Sequence, residues 1–478
     1  MTTSFLHGVQ VVDVDDGTNS ITTVASSVIG LVGTAPNADP SVFPLDTPVL
    51  IAGSPSLAAS LTSVSNGTDY GTLPGAIQDI FNQMRAAVVV IRVAEGTTTD
   101  ATMANIIGGV ASDGSYTGAQ ALLHAESITG SRPRILIAPG FTHQRVTNGV
   151  LTLAVSAGGE GYTDGTYNLV LSGGGTGSGA SATATIVGGI VTAATIVNHG
   201  GAYTAIPTFA LPNTAGAGTG ATFTATTGTV SNAVATSLIP IATSLRAIII
   251  QDGQNTTNND AIATAGDNGT QRIYLVDPWI TVLDSTTSVD VIRPSSAAVA
   301  GLIAASDNNN GFWWSPSNQT LSGVLGLGRP IDFAMGDETC SANLLNAAKV
   351  ATIIRYSGFR LWGNRTLSTE SKWQFLSVVR TADIINDSLQ ASMLWAVDRG
   401  ITKGFVDAVI EEVSDYLRQL VKLGAILGGS CWIDKDLNPA SSIANGEVYF
   451  DFDFTPPFPA EDITFRSHLT DNYVTSIF

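Results

Sequence analysis

The sequence predicts an α/β trunk with a mixed sheet flanked by helices. A β-rich domain interrupts the trunk, and an α+β C-terminal domain follows it, with extended arms at both chain ends. Three observations carry this. First, residues 27–146 and 229–345 alternate short runs that are apolar throughout with helical patterns, as strands buried on both faces require. Second, residues 147–228 change texture and repeat themselves. Third, the last residues alternate apolar and polar side chains and then become proline-rich.

The chain opens with an arm, residues 1–26. Val9 and Val11, then Val12 and Val14, alternate weakly before Asp15-Asp16-Gly17. The trunk strands are expected at Val28–Val32, Pro48–Ala52, Ala87–Val93, Arg134–Ala138, Arg246–Gln251 and Gln271–Val276. Between them, helical patterns cover Ser56–Leu61, Leu73–Met84, Gly118–Glu126, Asn258–Gly266 and Ser295–Ser306.

The interrupting segment contains no Lys or Arg. Within it, Gly159-Glu160-Gly161-Tyr162-Thr163 matches Gly200-Gly201-Ala202-Tyr203-Thr204, and the Gly/Ala/Thr run from Gly175 to Thr185 matches Gly216 to Thr226. Both matches share one offset of 41 residues, the mark of a duplicated unit. Gly clusters between Thr/Val/Ile runs indicate short strands and turns. Excising the segment leaves strand, loop, helix Val230–Leu245 and strand in an ordinary βαβ order, which identifies an insertion.

The C-terminal domain is expected over residues 346–454. Trp373, Leu376, Val379, Ile384 and Leu389 suggest long helical packing. A clearer helix runs from Thr402 to Leu423, with Val406, Val409, Ile410, Val413, Leu417 and Leu420 on one stripe and Gly424 as its stop. Val448, Phe450, Phe452 and Phe454 then share one face of a strand, opposite Glu447, Tyr449, Asp451 and Asp453. Pro456, Pro457 and Pro459 remove backbone donors and extend the chain into an arm, residues 455–478, with a second alternating piece at Ile463 and Phe465. Both arms suit pairing with the edge of another subunit's sheet, so the candidate intersubunit residues are these four N-terminal valines, Val448, the three phenylalanines, Ile463 and Phe465.

Composition narrows the function classes. The 478 residues carry a formal charge of −18, and only 13% are charged. That is about half the usual share and suits a surface largely covered by partners. All five lysines lie between Lys349 and Lys435, and no basic run exists, which argues against direct nucleic-acid binding. No signal peptide and no apolar run of membrane-spanning length is read. Cys340 and Cys431 are too few for a disulfide framework and read as reduced, buried side chains.

The sequence carries no recognisable catalytic signature. Gly173-Gly174-Gly175-Thr176-Gly177 lacks the Lys-Ser/Thr of a phosphate loop and reads as a turn. His7, His124, His143, His199 and His468 have no metal-ligand spacing. His143 follows a trunk strand, where α/β enzymes place catalytic groups, but as a lone loop histidine it reads as structural. No catalytic, cofactor or metal residue is assigned. An α/β hydrolase or an extracellular adhesin built around the Gly/Thr repeat are the alternative classes.

Several segments in order along nearly the whole chain resemble the tail sheath proteins of contractile bacteriophages, a family shared with R-type pyocins and type VI secretion sheaths. They are Phe5-Leu6-His7-Gly8-Val9, Ser27 to Pro36, Leu45 to Ile51, Gly358-Phe359-Arg360-Leu361-Trp362-Gly363-Asn364-Arg365-Thr366, Arg380-Thr381-Ala382-Asp383 and Pro456-Pro457-Phe458-Pro459-Ala460-Glu461. The resemblance implies a trunk of subtilisin-like topology without protease chemistry. It also implies a helical sheath around a tail tube protein, in the virion, with terminal arms exchanged between copies of the chain. Baseplate and tail terminator proteins are the further partners it implies, and assembly in the host cytoplasm. The inserted segment lies outside the common family core.

Overall fold

The computed structural model describes residues 21–64 and 67–472. The described residues divide into two units, 25–380 with 458–472, and 21–24 with 381–457.

The larger unit is organised by an eight-stranded sheet. Its strand order is Val49–Ala52, Ala87–Val93, Ile29–Thr34, Ile135–Ile137, Ile248–Asp252, Ile273–Val276, Val350–Arg355 and Phe359–Trp362. The inner strands run parallel, while the two edge strands, Val49–Ala52 and Phe359–Trp362, run antiparallel to their neighbours. The sheet is therefore mixed, as expected, and each of the six trunk-strand expectations overlaps one of its strands.

Alternation explains the layers. Ile29, Leu31, Val88, Val90, Ile135, Ile137, Ile248, Ile250, Tyr274 and Val276 point to one face, where they pack with helices Leu73–Gln83 and Ser296–Asn310. Val32, Val89, Ile91, Leu136, Ile249, Ile273 and Leu275 point to the other, against helices Ala233–Leu245 and Asn258–Ala265 and the 3-10 turn Gly118–His124. A strand buried on both faces needs apolar residues at every position, which is why these runs were legible. Each fully buried Val, Ile or Leu contributes roughly 1.5–3 kcal/mol of transfer free energy.

Val350–Arg355 and Phe359–Trp362 extend this sheet, whereas the sequence reading opened the C-terminal domain at residue 346. The structure differs there because Val350, Ala351 and Ile353 bury against the same two cores as the other strands. The chain leaves the larger unit only after Arg380. That junction carries a buried ion pair: Arg380 Nη1 donates to Asp307 Oδ1 at 2.7 Å, Arg380 Nη2 to Ser26 O at 3.1 Å, and Ser26 Oγ to Asp307 Oδ2 at 2.7 Å.

The duplicated segment folds by exchange between its halves. The first strand of the first repeat, Val146–Glu160, pairs with the last strand of the second, Thr219–Val230. The last strand of the first repeat, Ser178–Val187, pairs with the first strand of the second, Ile190–Gly201. The registers are related by the 41-residue offset. Thr219↔Glu160 corresponds to Ser178↔Gly201, Phe223↔Val155 to Ala182↔Ile196, and Gly228↔Gly149 to Val187↔Ile190. Even the bulges correspond: Thr222/Phe223 with Ser181/Ala182, and Thr226/Thr227 with Thr185/Ile186. The segment is thus an internal pseudo-twofold pair.

Its tyrosines lock the two halves reciprocally. The Ala221 amide donates to Tyr162 Oη at 3.1 Å, and the Ala180 amide donates to Tyr203 Oη at 3.0 Å. A Cβ at Gly177 would lie 2.3 Å from the Tyr203 ring, and one at Gly218 would lie 2.5 Å from the Tyr162 ring. The glycines therefore make room for a tyrosine, which explains the run that superficially resembled a phosphate loop. At the stem, Val146 and Val230 are register partners. Asn232 caps the following helix by accepting from the Ala235 amide at 2.8 Å, and its Nδ2 donates to Phe141 O at 3.0 Å.

Candidate assembly surface

The smaller unit is built on helix Lys403–Leu423. Thr402 caps it, accepting from the Phe405 amide at 3.2 Å, and Gly424 ends it in the left-handed region at φ 76°. Val409, Val413, Tyr416, Leu417 and Leu420 form its buried stripe, at helical spacing. Near the other end of the chain, Thr23 Oγ1 lies 3.3 Å from Tyr416 Oη, and the Val24 amide donates to Ser388 Oγ at 3.1 Å. The N-terminal segment therefore enters this unit beside the helix. Val9, Val11, Val12 and Val14 lie outside the described residues.

After the helix, Gly428–Ile433 pairs antiparallel with Phe450–Thr455 as a two-stranded sheet. Phe450 faces Ile433, Phe452 faces Cys431 and Phe454 faces Gly429. The rings of Phe452 and Phe454 stack, with centroids 6.0 Å apart. Gly429 is required by close packing: a Cβ there would lie 2.7 Å from Asp453 O and 3.3 Å from Leu417 Cδ1. Asp453 Oδ1 accepts from the Ser430 amide at 2.8 Å and from its hydroxyl at 2.9 Å, so this carboxylate braces the strand pair. Burial pushes the Cys431 thiol up, and the Asp451 charge adds to this.

Phe450, Phe452 and Phe454, assigned from sequence to an intersubunit arm, are thus half-buried and paired inside their own chain. The partner strand was missed because Gly428-Gly429-Ser430 interrupts its apolar pattern; Ala425-Ile426-Leu427 before it and Cys431-Trp432-Ile433 after it were the available signal. Val448 precedes the strand and is half-buried. Among the described residues, each strand of this sheet has one partner only, so each leaves one edge of backbone donors and acceptors open.

The described residues after Pro457 belong to the larger unit. Phe458 meets the Phe375 ring edge-to-face at 6.1 Å, and Glu461 accepts from Arg365 through both Nε and Nη2, at 3.0 and 2.7 Å. Beyond Glu461 the described tail has no helix or strand, and Ile463 and Phe465 are 67% and 91% exposed.

The histidines and buried carboxylates that could serve chemistry sit in structural surroundings. His143 is partly buried against Trp279, ring centroids 4.8 Å apart, and burial lowers its pKa. His199 Nδ1 contacts Val150 O at 2.5 Å, and His124 packs on Tyr116. No histidine ring among the described residues is hydrogen-bonded to a Ser, Thr or Cys side chain, the geometry a hydrolase needs. Asp252 is fully buried at the end of its strand, where it accepts from the Ser296 amide and hydroxyl at 2.8 and 2.6 Å. Asp277 is held by Arg329 and by the Asn255 amide. These carboxylates tie loops to the sheet. No group of side chains able to hold a metal, and no helix long and apolar enough to cross a membrane, occurs among the described residues.

A sheet-centred trunk, an open-edged strand pair and a tail exposing Ile463 and Phe465 suit a structural protein that assembles with others. The comparisons identify which kind. Family models described as phage tail sheath protein central domain and phage tail sheath C-terminal domain match residues 217–367 and 368–470. The chain is 36% identical over 475 residues to a putative prophage major tail sheath protein of Pseudomonas aeruginosa (strain UCBPP-PA14), covering 99% of both chains. It is 28% identical over 478 residues to the tail sheath protein of Escherichia phage P2, covering 98% of this chain and 97% of that protein. Its fold is similar to the helical sheath of the anti-feeding prophage in the contracted state (TM-score 0.60, 14% identity, 98% and 100% coverage). It is also similar to the contracted PVC sheath complex of an extracellular contractile injection system (TM-score 0.58, 15% identity, 99% and 100% coverage). The chain belongs to the phage tail sheath family, a family of structural tail components and not of enzymes.

Proposed function

We propose that this chain polymerises helically around an inner tail tube and that its contraction drives the tube through the host envelope without nucleotide hydrolysis. The observation that carries this reading is the near-complete coverage, at 36% identity, of a tail sheath protein. The extended sheath is a metastable packing, and contraction releases free energy by burying more intersubunit surface. Heterologous contacts that do not close on themselves generate a filament of this type.

The terminal arms link the subunits. The open edges of Gly428–Ile433 and Phe450–Thr455 accept strands from neighbouring copies, one supplied by the N-terminal arm with Val9, Val11, Val12 and Val14, the other by the tail with Ile463 and Phe465. Each main-chain hydrogen bond so formed contributes roughly 0.5–1.5 kcal/mol net, and each buried phenylalanine adds at about 25 cal/mol per Å². The trunk carries a subtilisin-like chain trace; the parallel inner strands with helices on both faces support this. The insert, residues 147–228, is a separate domain on the outer sheath surface, where its bulk clears the tube. Baseplate and terminator proteins meet the ends of the sheath, which assembles in the host cytoplasm as part of a phage or phage-like particle.

Deleting residues 463–478 tests the arm reading. The shortened chain is expected to stay folded and to lose long sheaths in negative-stain images; sheaths of normal length would overturn it.

A further inference from the structure

The first residues of the tail do not leave the molecule freely. Pro456 is buried, Phe458 packs on Phe375, and Arg365 lies over the Phe375 ring at 5.9 Å while its guanidinium clasps Glu461. Arg365 itself is fixed: Arg365 and Phe375 form an antiparallel bridge beside the Thr366 amide, which donates to Gln374 O at 2.8 Å. One cation, two rings and one carboxylate thus form a closed cluster between the trunk loop and the tail. From Ala460 through Asn472 every residue is exposed, so the clasp holds the tail where it turns to solvent.

We propose that Arg365, Phe375, Phe458 and Glu461 form a strap that sets the point and direction from which residues 462–472 depart, and that assembly depends on this placement. The inference rests on the arm reading above. Its physical basis is effective concentration. A tail free from Pro456 onward would sweep a volume set by its whole length, whereas a tail clamped at Glu461 explores only what the residues beyond it allow. A neighbouring sheet edge within reach then meets the tail's Ile463 and Phe465 at a higher local concentration, and less ordering entropy is lost on docking. The bidentate Arg–carboxylate geometry suits this task because it fixes orientation as well as distance. Arg365 and Glu461 retain 35% and 27% exposure, so the clasp holds the tail without being a requirement for the trunk to fold.

The test uses the full-length chain carrying Glu461→Gln, Arg365→Glu, or the charge swap Arg365→Glu with Glu461→Arg, alongside the 463–478 deletion. Three readouts are thermal unfolding, the mobility of a nitroxide placed on Ala460→Cys, and the subunit concentration at which long sheaths appear. Glu461→Gln is expected to leave unfolding unchanged, to increase nitroxide mobility, and to raise the assembly concentration roughly five-fold, the effect of losing one partly exposed ion pair per subunit. The charge swap is expected to restore both mobility and assembly. If the deletion abolishes long sheaths but Glu461→Gln assembles like the wild type, the strap is refuted and the arm reading stands. If the deletion assembles normally, the arm reading fails and the strap falls with it. Should Arg365→Glu lower the unfolding temperature, Glu461→Gln, which alters only the tail, decides the question; failure of the swap to restore assembly in a folded chain also counts against the strap.

Discussion

Replacing Arg380 by Met should destabilise the larger unit by about 3–5 kcal/mol, the usual cost of breaking a buried pair from one side. The side chains of Arg380 and Asp307 are 4% and 3% exposed. Arg380 supplies donors to both Asp307 oxygens and to Ser26 O. After the substitution, Asp307 keeps the Ser26 hydroxyl, at 2.7 Å, as the partner seen here. Its charge cannot be rehydrated while the helix Ser296–Asn310 stays packed, so the penalty is that of an uncompensated buried carboxylate. Methionine retains most of the aliphatic volume, which keeps cavity formation a minor part of the loss. Replacing both partners, as Arg380→Met with Asp307→Leu, removes the stranded charge and should recover most of the stability. Urea unfolding followed by tryptophan fluorescence on unassembled subunits measures this, with ΔG compared at constant slope. A single-variant loss below about 1 kcal/mol, or a double variant less stable than Arg380→Met, would refute the reasoning.

Three further outcomes are expected. Tyr162→Phe and Tyr203→Phe each remove the hydroxyl that accepts from a backbone amide across the repeat interface, and each should cost about 1–2 kcal/mol, confined to the insert; hydrogen exchange at Ala221 and Ala180 respectively reports it, and protection lost elsewhere but retained at these amides would contradict the exchange. Burial pushes the carboxyls of Asp252 and Asp79 up to about 7, the latter despite Arg293, against about 3.9 in an unfolded chain. Their proton-linked stability is therefore fully present below about pH 4 and lost as the pH rises through about 7. Unfolding midpoints should fall between mildly acidic and alkaline buffers, and the fall should shrink in Asp252→Asn, whose amide still accepts from Ser296; an unchanged profile would exclude Asp252 as a source. Deleting residues 147–228 and closing the gap between the register partners Val146 and Val230 with a short turn should leave circular dichroism of the trunk intact, and an unfolded product would count against an independent insert.

The sequence by itself determined the elements whose side chains face uniform surroundings. Ile29–Thr34, Ala87–Val93 and Ile248–Asp252 are buried on both sides, so composition alone marks them. Helix Lys403–Leu423 has one apolar stripe with a threonine cap and a glycine stop, so periodicity marks it. The 41-residue duplication was likewise visible in the letters. Only the tertiary structure decided who pairs with whom. The repeats exchange strands instead of folding separately, because each tyrosine and its glycine-lined recess lie in opposite halves. Phe450–Thr455 pairs with Gly428–Ile433 because the bare Gly429 admits Leu417 beneath the sheet, a complementarity between positions far apart in sequence. The clasp of Arg365 on Glu461 lies outside any local pattern altogether, since hydrophobic periodicity reports which face of an element is buried and carries no information about which distant partner covers it.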